Sequence, residues 1–197
     1  MRKSRLAEPP GSNQPCAWCP GAFPGCFPVL PPNPYTSSFQ TMSCDKSAPE
    51  IIQINHDGEL LAIIIPVGYR ADGIQFFTPG SFSQQLGYMR HPAGHEILPH
   101  DHNPVPRTVE WTQEVLLVRS GKIRLDIYAP GSRAYLESRV LLPGDVVLLA
   151  HGGHGFTMLE PSEMIEVKQG PYAGEQDKER FAPAAAESIR IAGQAQP

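Results

Sequence analysis

Cysteine is missing from the last 153 residues of this 197-residue chain: its four, Cys16, Cys19, Cys26 and Cys44, all precede residue 45. A disulfide framework would spread through the folded part, so a reducing, cytoplasmic setting is expected. Long apolar runs are missing too. The longest, Leu60 to Val67, is interrupted by Pro66 and falls far short of the roughly 20 residues a bilayer span needs. Pro, Gly and polar residues follow the basic N-terminus where a signal peptide would place its apolar stretch. A membrane is therefore not expected as a partner. Charge is modest, with a formal net of −4 and Lys and Arg scattered along the chain. That excludes a phosphate-tracking surface, and with it nucleic acid as a partner.

The length suits one domain with a sizeable core. Residues 1–48 stand apart, carrying nine prolines and no apolar period. They cannot bury enough apolar surface to offset their ordering entropy, and a disordered extension is expected there. Met42 offers an alternative translation start, which intact mass of the native protein would decide. The Cys16-x-x-Cys19 pair with Cys26 lacks a fourth zinc ligand at workable spacing and is read as accidental. Residues 182–197 are Ala-rich, then polar, and read as a flexible tail with room for a short helix over 184–191.

What is present lies in residues 49–181. Short apolar runs end repeatedly at turn residues. Ile51–Ile54 and Leu60–Ile65 flank Asp57-Gly58, a hairpin signal. Further runs are 74–78, 85–90, 115–118, 135–142, 146–149 and 164–169, stopped by Pro-Gly, His-Pro, Ser-Gly or Gly-Gly pairs. Ile123, Leu125 and Ile127 alternate with Lys122, Arg124 and Asp126, which predicts a strand with one wet face. No segment has the length and period of a good helix. An all-β sandwich or barrel follows.

Histidine carries the chemical signal. His91, His95, His100, His102, His151 and His154 fall near expected strand ends. In an extended strand His100 and His102 would project from one face, so both imidazoles could reach one ion at about 2.0–2.1 Å. Their surroundings add to this. Gly94 precedes His100 by six positions, Glu114 precedes Gly121 by seven, and downstream Pro143-Gly144-Asp145 opens a turn followed by a short strand and Gly152-Gly153-His154.

This arrangement resembles the two signature motifs of the cupin superfamily, over about residues 51–181. The resemblance implies a double-stranded β-helix, a jelly-roll barrel, holding one divalent transition metal (Fe, Mn, Ni, Cu or Zn) on His100, His102, Glu114 and His154. Two departures stand out. Eleven residues separate His102 from Glu114, more than the family's short gap. In the second motif Ala150 replaces a proline and Met158 stands where asparagine is common, which leaves His151 as a rival to His154.

Three imidazoles and one carboxylate would suit these metals and leave coordination positions open for a substrate. Without a metal, a buried Glu114 would need an Arg or Lys partner. Arg107, Gln169 and Tyr172 are candidate substrate contacts. Glu110 and Lys168 are weaker ones, and Gln113, facing away from the ion by alternation, is read as a surface amide. Trp111, Phe76, Phe77 and Phe156 are read as core. The resemblance implies a small oxygen-rich, carbohydrate-related ligand, handled by a dioxygenase or a sugar isomerase, or else held by a non-catalytic sensing module. It also implies a homodimer, for which 51–65 would supply a shared edge.

Overall fold

The computed structural model describes residues 48–193, and the expectations for the Pro-rich extension, Met42 and the cysteines lie outside them. Ten strands make up the described chain: β1 Ile52–His56, β2 Glu59–Ile65, β3 Gly73–Phe76, β4 Gly87–Arg90, β5 Glu114–Ser120, β6 Ile123–Tyr128, β7 Tyr135–Leu141, β8 Val146–Leu149, β9 Gly153–Met158 and β10 Glu163–Lys168. Two short 3-10 turns, Gly174–Asp177 and Ala186–Ser188, follow. The chain is all-β, as its turn-punctuated pattern predicts.

Five strands form one sheet in the order β1-β2-β8-β5-β10, three form a second in the order β7-β6-β9, and β3 pairs with β4 apart from both. All pairings are antiparallel. The large sheets face each other, and no strand ladder joins them among the described residues. Between them Ala62, Ile64, Leu116, Val118, Val147 and Leu149 of the first sheet meet Ile123, Leu125, Ile127 and Leu141 of the second in one buried cluster. Burial of each Val, Leu or Ile side chain among them stabilises by about 1.5–3 kcal/mol. Leu61, opposite the irregular register between Ile54 and Asn55, joins the same cluster.

The five-stranded sheet is covered on its other face as well. Ile63, Ile65, Leu148 and Ala150 point outward and pack under Leu86, with Tyr69, Phe77 and Phe82 of the excursion between β2 and β4 around them. Two-sided burial explains why β2 and β8 read as continuous apolar runs rather than alternating ones. The Pro143-Gly144-Asp145 turn is held by the buried Asp145 carboxylate, which accepts from the backbone N–H groups of Val67 and Leu142, both at 2.8 Å.

The outer face of the three-stranded sheet differs from the wet face its alternation predicts. Asp126 is only 4% exposed. Arg124 donates to it through Nε and Nη2 at 2.8 and 3.1 Å, and the Ser138 hydroxyl donates too. The C-terminal segment runs alongside the edge of this sheet, next to β7. Ser138 and Ile191 form a parallel bridge, with Ser138 N–H donating to Arg190 O and Ala192 N–H to Ser138 O, both at 2.9 Å. Up to residue 193 the segment expected to be loose is therefore docked, and its helical content is the single turn Ala186–Ser188.

Gly121 links β5 to β6 at φ +83°, and a Cβ there would strike the Pro161 carbonyl oxygen and the Ser162 side chain. Gly121→Ala should destabilise the protein by about 1–3 kcal/mol, read from urea unfolding; a change near zero would mean that the 159–162 turn moves aside freely.

Candidate functional site

The alternation of β5 sends Glu114, Leu116 and Val118 inward, the last two into the core. Glu114, the first residue of the strand, thus stands at the open end of the space between the sheets. Its partners across the sheet are Leu149 of β8 and Lys168 of β10. From the opposite sheet comes β9, where His154 pairs with the inward-facing Ile127. The strand starts just after Gly152, whose φ of +80° and close approach to Tyr128 O (2.8 Å from a notional Cβ) leave no room for a side chain. His154 Nε2 and Glu114 Oε2 lie 3.1 Å apart, both side chains largely covered.

Further charges surround this pair. Lys168 Nζ is 3.9 Å from Glu114 Oε1 and donates to Asp177 Oδ2 at 3.3 Å. Asp177 also accepts from the Thr112 hydroxyl at 3.0 Å. The hydrogen bond from His154 holds the Glu114 carboxyl below its ordinary range, against the upward push of burial, and Lys168 adds to the effect. The Thr112 hydroxyl, then Lys168, hold Asp177 low in the same way. Beside Asp177, the Lys168 ammonium keeps its proton more firmly than usual.

His100 and His102 occupy a different setting. Residues 91–113 contain no strand, so the extended HxH strand expected from the sequence is absent, and both imidazoles are exposed. The rings stand edge to face, centroids 5.2 Å apart, and His100 Nδ1 lies 3.0 Å from Leu98 O, which leaves its Nε2 free. His91 and His95 stack on each other at 4.0 Å. His151 faces away from Glu114: its Nδ1 is 3.0 Å from Glu59 Oε2 and its ring lies against Trp111. Of the two rival histidines, it is His154 that the fold sets beside Glu114.

The other candidates are scattered. Arg107 is exposed and contacts Val105 O at 3.4 Å. Tyr172 is 77% exposed, its ring 6.0 Å from Lys168 Nζ. Gln169 is on the outer face, where its Oε1 accepts from Gln113 N–H at 2.6 Å and its Nε2 donates to Ser83 at 3.1 Å. Gln113 does face away from Glu114, but it is 6% exposed rather than a surface amide. Trp111 and Phe76, read as core, are 55% and 59% exposed; Phe77 and Phe156 do pack against the two clusters. Asp177 and Thr112 carried no sequence signal.

Donors at about 2.1 Å from one ion, on adjacent corners of an octahedron, sit about 3.0 Å apart. The Glu114–His154 spacing therefore suits two neighbouring ligands as well as a hydrogen bond. His100 and His102 do not stand with them, and among the described residues no group of three or more His, Cys, Asp or Glu side chains is placed to hold a metal. The four expected ligands form two pairs. No helix among the described residues is long and apolar enough to cross a membrane.

No protein-family model, curated protein or solved structure matches this chain.

The lowered Glu114 pKa fixes a sign. The unfolded chain binds its proton more tightly, so stabilisation by the pair is complete above the ordinary carboxylate range and is lost as pH falls through the lowered folded value. With chelator present, stability measured by urea unfolding should fall less steeply from pH 5 toward pH 3 (about that range) in Glu114→Gln than in the wild type. Parallel curves would mean that the carboxylate is not held by its neighbours.

Proposed function

We propose that this chain is a cupin-type, jelly-roll metalloprotein that acts on a small oxygen-rich molecule at the open end between its sheets. The observation that carries the reading is the Glu114–His154 pair, brought from opposite sheets to 3.1 Å. A divalent transition metal (Fe, Mn, Ni, Cu or Zn) is the proposed cofactor. Glu114 and His154 are its proposed anchors, and His100 and His102 complete the set when the strand-free 91–113 segment bends toward the open end. When bound, such an ion supplies Lewis acidity or, for iron, manganese or copper, redox chemistry, which fits an isomerase or a dioxygenase respectively.

The chain's own groups have definable roles there. Lys168 balances and orients the Glu114 carboxylate while Asp177 fixes Lys168. Asp177 also ties Thr112, near the end of the strand-free segment, to the same cluster. Arg107 rides on that segment and Tyr172 flanks Lys168, which puts both within the reach of a closing movement as substrate contacts. The outward side chains of Leu117, Ile165 and Val167 are exposed on β5 and β10. They support, alongside β1 at the other edge, the proposed homodimer. A cytoplasmic location remains part of the proposal.

A second reading rests on a specific observation. Glu114 already has an imidazole and an ammonium beside it, so its charge is compensated without a metal. The site would then be a non-catalytic small-ligand or sensing module.

Elemental analysis of protein purified without chelator or polyhistidine tag separates the two. The metalloprotein reading expects about one transition metal per chain, well below one in His154→Ala and in His100→Ala or His102→Ala. Retention in the latter two would remove the 91–113 imidazoles from the ligand set. Absence of metal from every preparation, with no binding on titration and no oxygen uptake or sugar isomerisation, would leave the binding module.

A further inference from the structure

The strand alternation that turns Glu114 inward turns Gln113 outward, beneath a second feature. On the outer face of the five-stranded sheet lies a cavity of about 880 Å³, within the size range of small-molecule sites. One wall is the excursion around Phe77 and Ser81, the floor is β1 and β2, and the rim comes from Thr108 to Trp111. We propose that this cavity binds an uncharged polyhydroxylated ring, a sugar or cyclitol, independently of the Glu114–His154 centre.

Three observations carry this. The first is a buried acceptor without a donor. Gln113 is 6% exposed and lines the cavity, and its Oε1 is out of solvent with no hydrogen-bond partner. Such a group costs about 1–3 kcal/mol if left unpaired, and turning the terminal amide over, so that its oxygen meets a ligand hydroxyl in the cavity, would relieve it. The Gln113 backbone is fixed meanwhile by its N–H bond to Gln169 at 2.6 Å.

The second is a braced aromatic face. Trp111 is 55% exposed. His151 lies against it, centroids 4.6 Å apart and tilted by 33°, and is itself held by Glu59 at 3.0 Å. One side of the indole is thus supported while much of its surface is open. An indole suits the C–H face of a sugar ring because the ring's axial hydrogens are apolar and slightly positive, and the π face is negative.

The third is the sign of the charge. The lining includes the carboxylates of Glu59 and Glu110 and, among the described residues, no Lys or Arg. Phosphates and carboxylates are disfavoured there. Glu59 already faces His151, which weakens the case for an organic cation. The remaining polar lining, such as Asn55, Ser81, Ser83 and Thr108, is uncharged. Amides and hydroxyls that both donate and accept match a ring of hydroxyls.

The chain has two tryptophans, so a Trp18→Phe background makes Trp111 the sole tryptophan, read by exciting beyond the tyrosine absorption. Chelator-treated protein would be titrated with glucose, mannose, galactose, N-acetylglucosamine and myo-inositol, and with glucose 6-phosphate and tetramethylammonium as charged counterparts. A saturable change with at least one neutral ring below about 10 mM is expected, and the charged probes should be at least about tenfold weaker. By calorimetry, Trp111→Ala and Gln113→Leu should each weaken that binding about tenfold or more, while Glu114→Gln should leave it unchanged. Trp111 is a surface residue, so its variant tests the site without disturbing the core. The proposal is overturned if no neutral ring binds in that range, if a charged probe binds as tightly, if Trp111→Ala binds like the parent, or if Glu114→Gln abolishes binding and so moves the ligand to the inner face. Metal loading plays no part, so failure here is distinct from failure of the metalloprotein reading.

Discussion

The central strands β2 and β8 are packed on both faces, and that constraint organises the rest. Val147 and Leu149 go into the space between the sheets, and Leu148 and Ala150 go under the excursion around Leu86. In the neighbouring β5 a one-residue slip would take Leu116 and Val118 out of the core and put Leu117 and Arg119 in their place. Register is thus fixed by hydrophobic packing, and it is fixed for the polar residues at the strand ends as well. Glu114 opposite Leu149 must face inward, and Gln113 must face outward. Two neighbouring residues therefore serve opposite sides of one sheet.

Each side then acquires its character from what arrives across from it. Inward, β9 delivers His154 and β10 delivers Lys168, giving a carboxylate whose proton is held weakly and whose charge is compensated. Outward, the end of the 91–113 segment delivers Trp111, and His151 and Glu59 brace it. Thr112 is tied to Asp177 and the Gln113 N–H to Gln169. The two sides consequently share an anchor, since residues 112 and 113 are both held from the stretch that follows β10, namely Gln169 and Asp177.

Much of this fold was legible in the sequence, and the failures have physical causes. Strands such as 123–128 and 146–149 are written in branched and aliphatic residues between Gly and Pro punctuation, because local preference and tertiary packing agree there. Strand β9, Gly153–Met158, was not read as a strand: its two glycines carry little strand preference, and it exists because β6 pairs with it. That is the strand on which His154 rides. The wet face assigned to β6 failed because Asp126 is closed in by Arg124 and by Ser138 of β7, and Tyr128 by Phe181, more than fifty residues away. The resemblance to the cupin motifs set His154, Glu114, His100 and His102 in one constellation. The fold brings the first two together, since strands carry both, and leaves the other two on a segment where no ladder fixes a direction. Gln113 was misjudged because an amide beside a Trp gives no sign of which loop will roof it.

The meeting of Glu114 and His154 across the sheets is the claim on which the inner site stands. A double-mutant cycle with Glu114→Gln and His154→Asn, followed by urea unfolding of metal-free protein near neutral pH, measures it directly. The two substitutions should couple by about 0.5 kcal/mol or more, the range for residues in contact. Additive effects within experimental error would mean that the two side chains do not meet, and would remove the site with them.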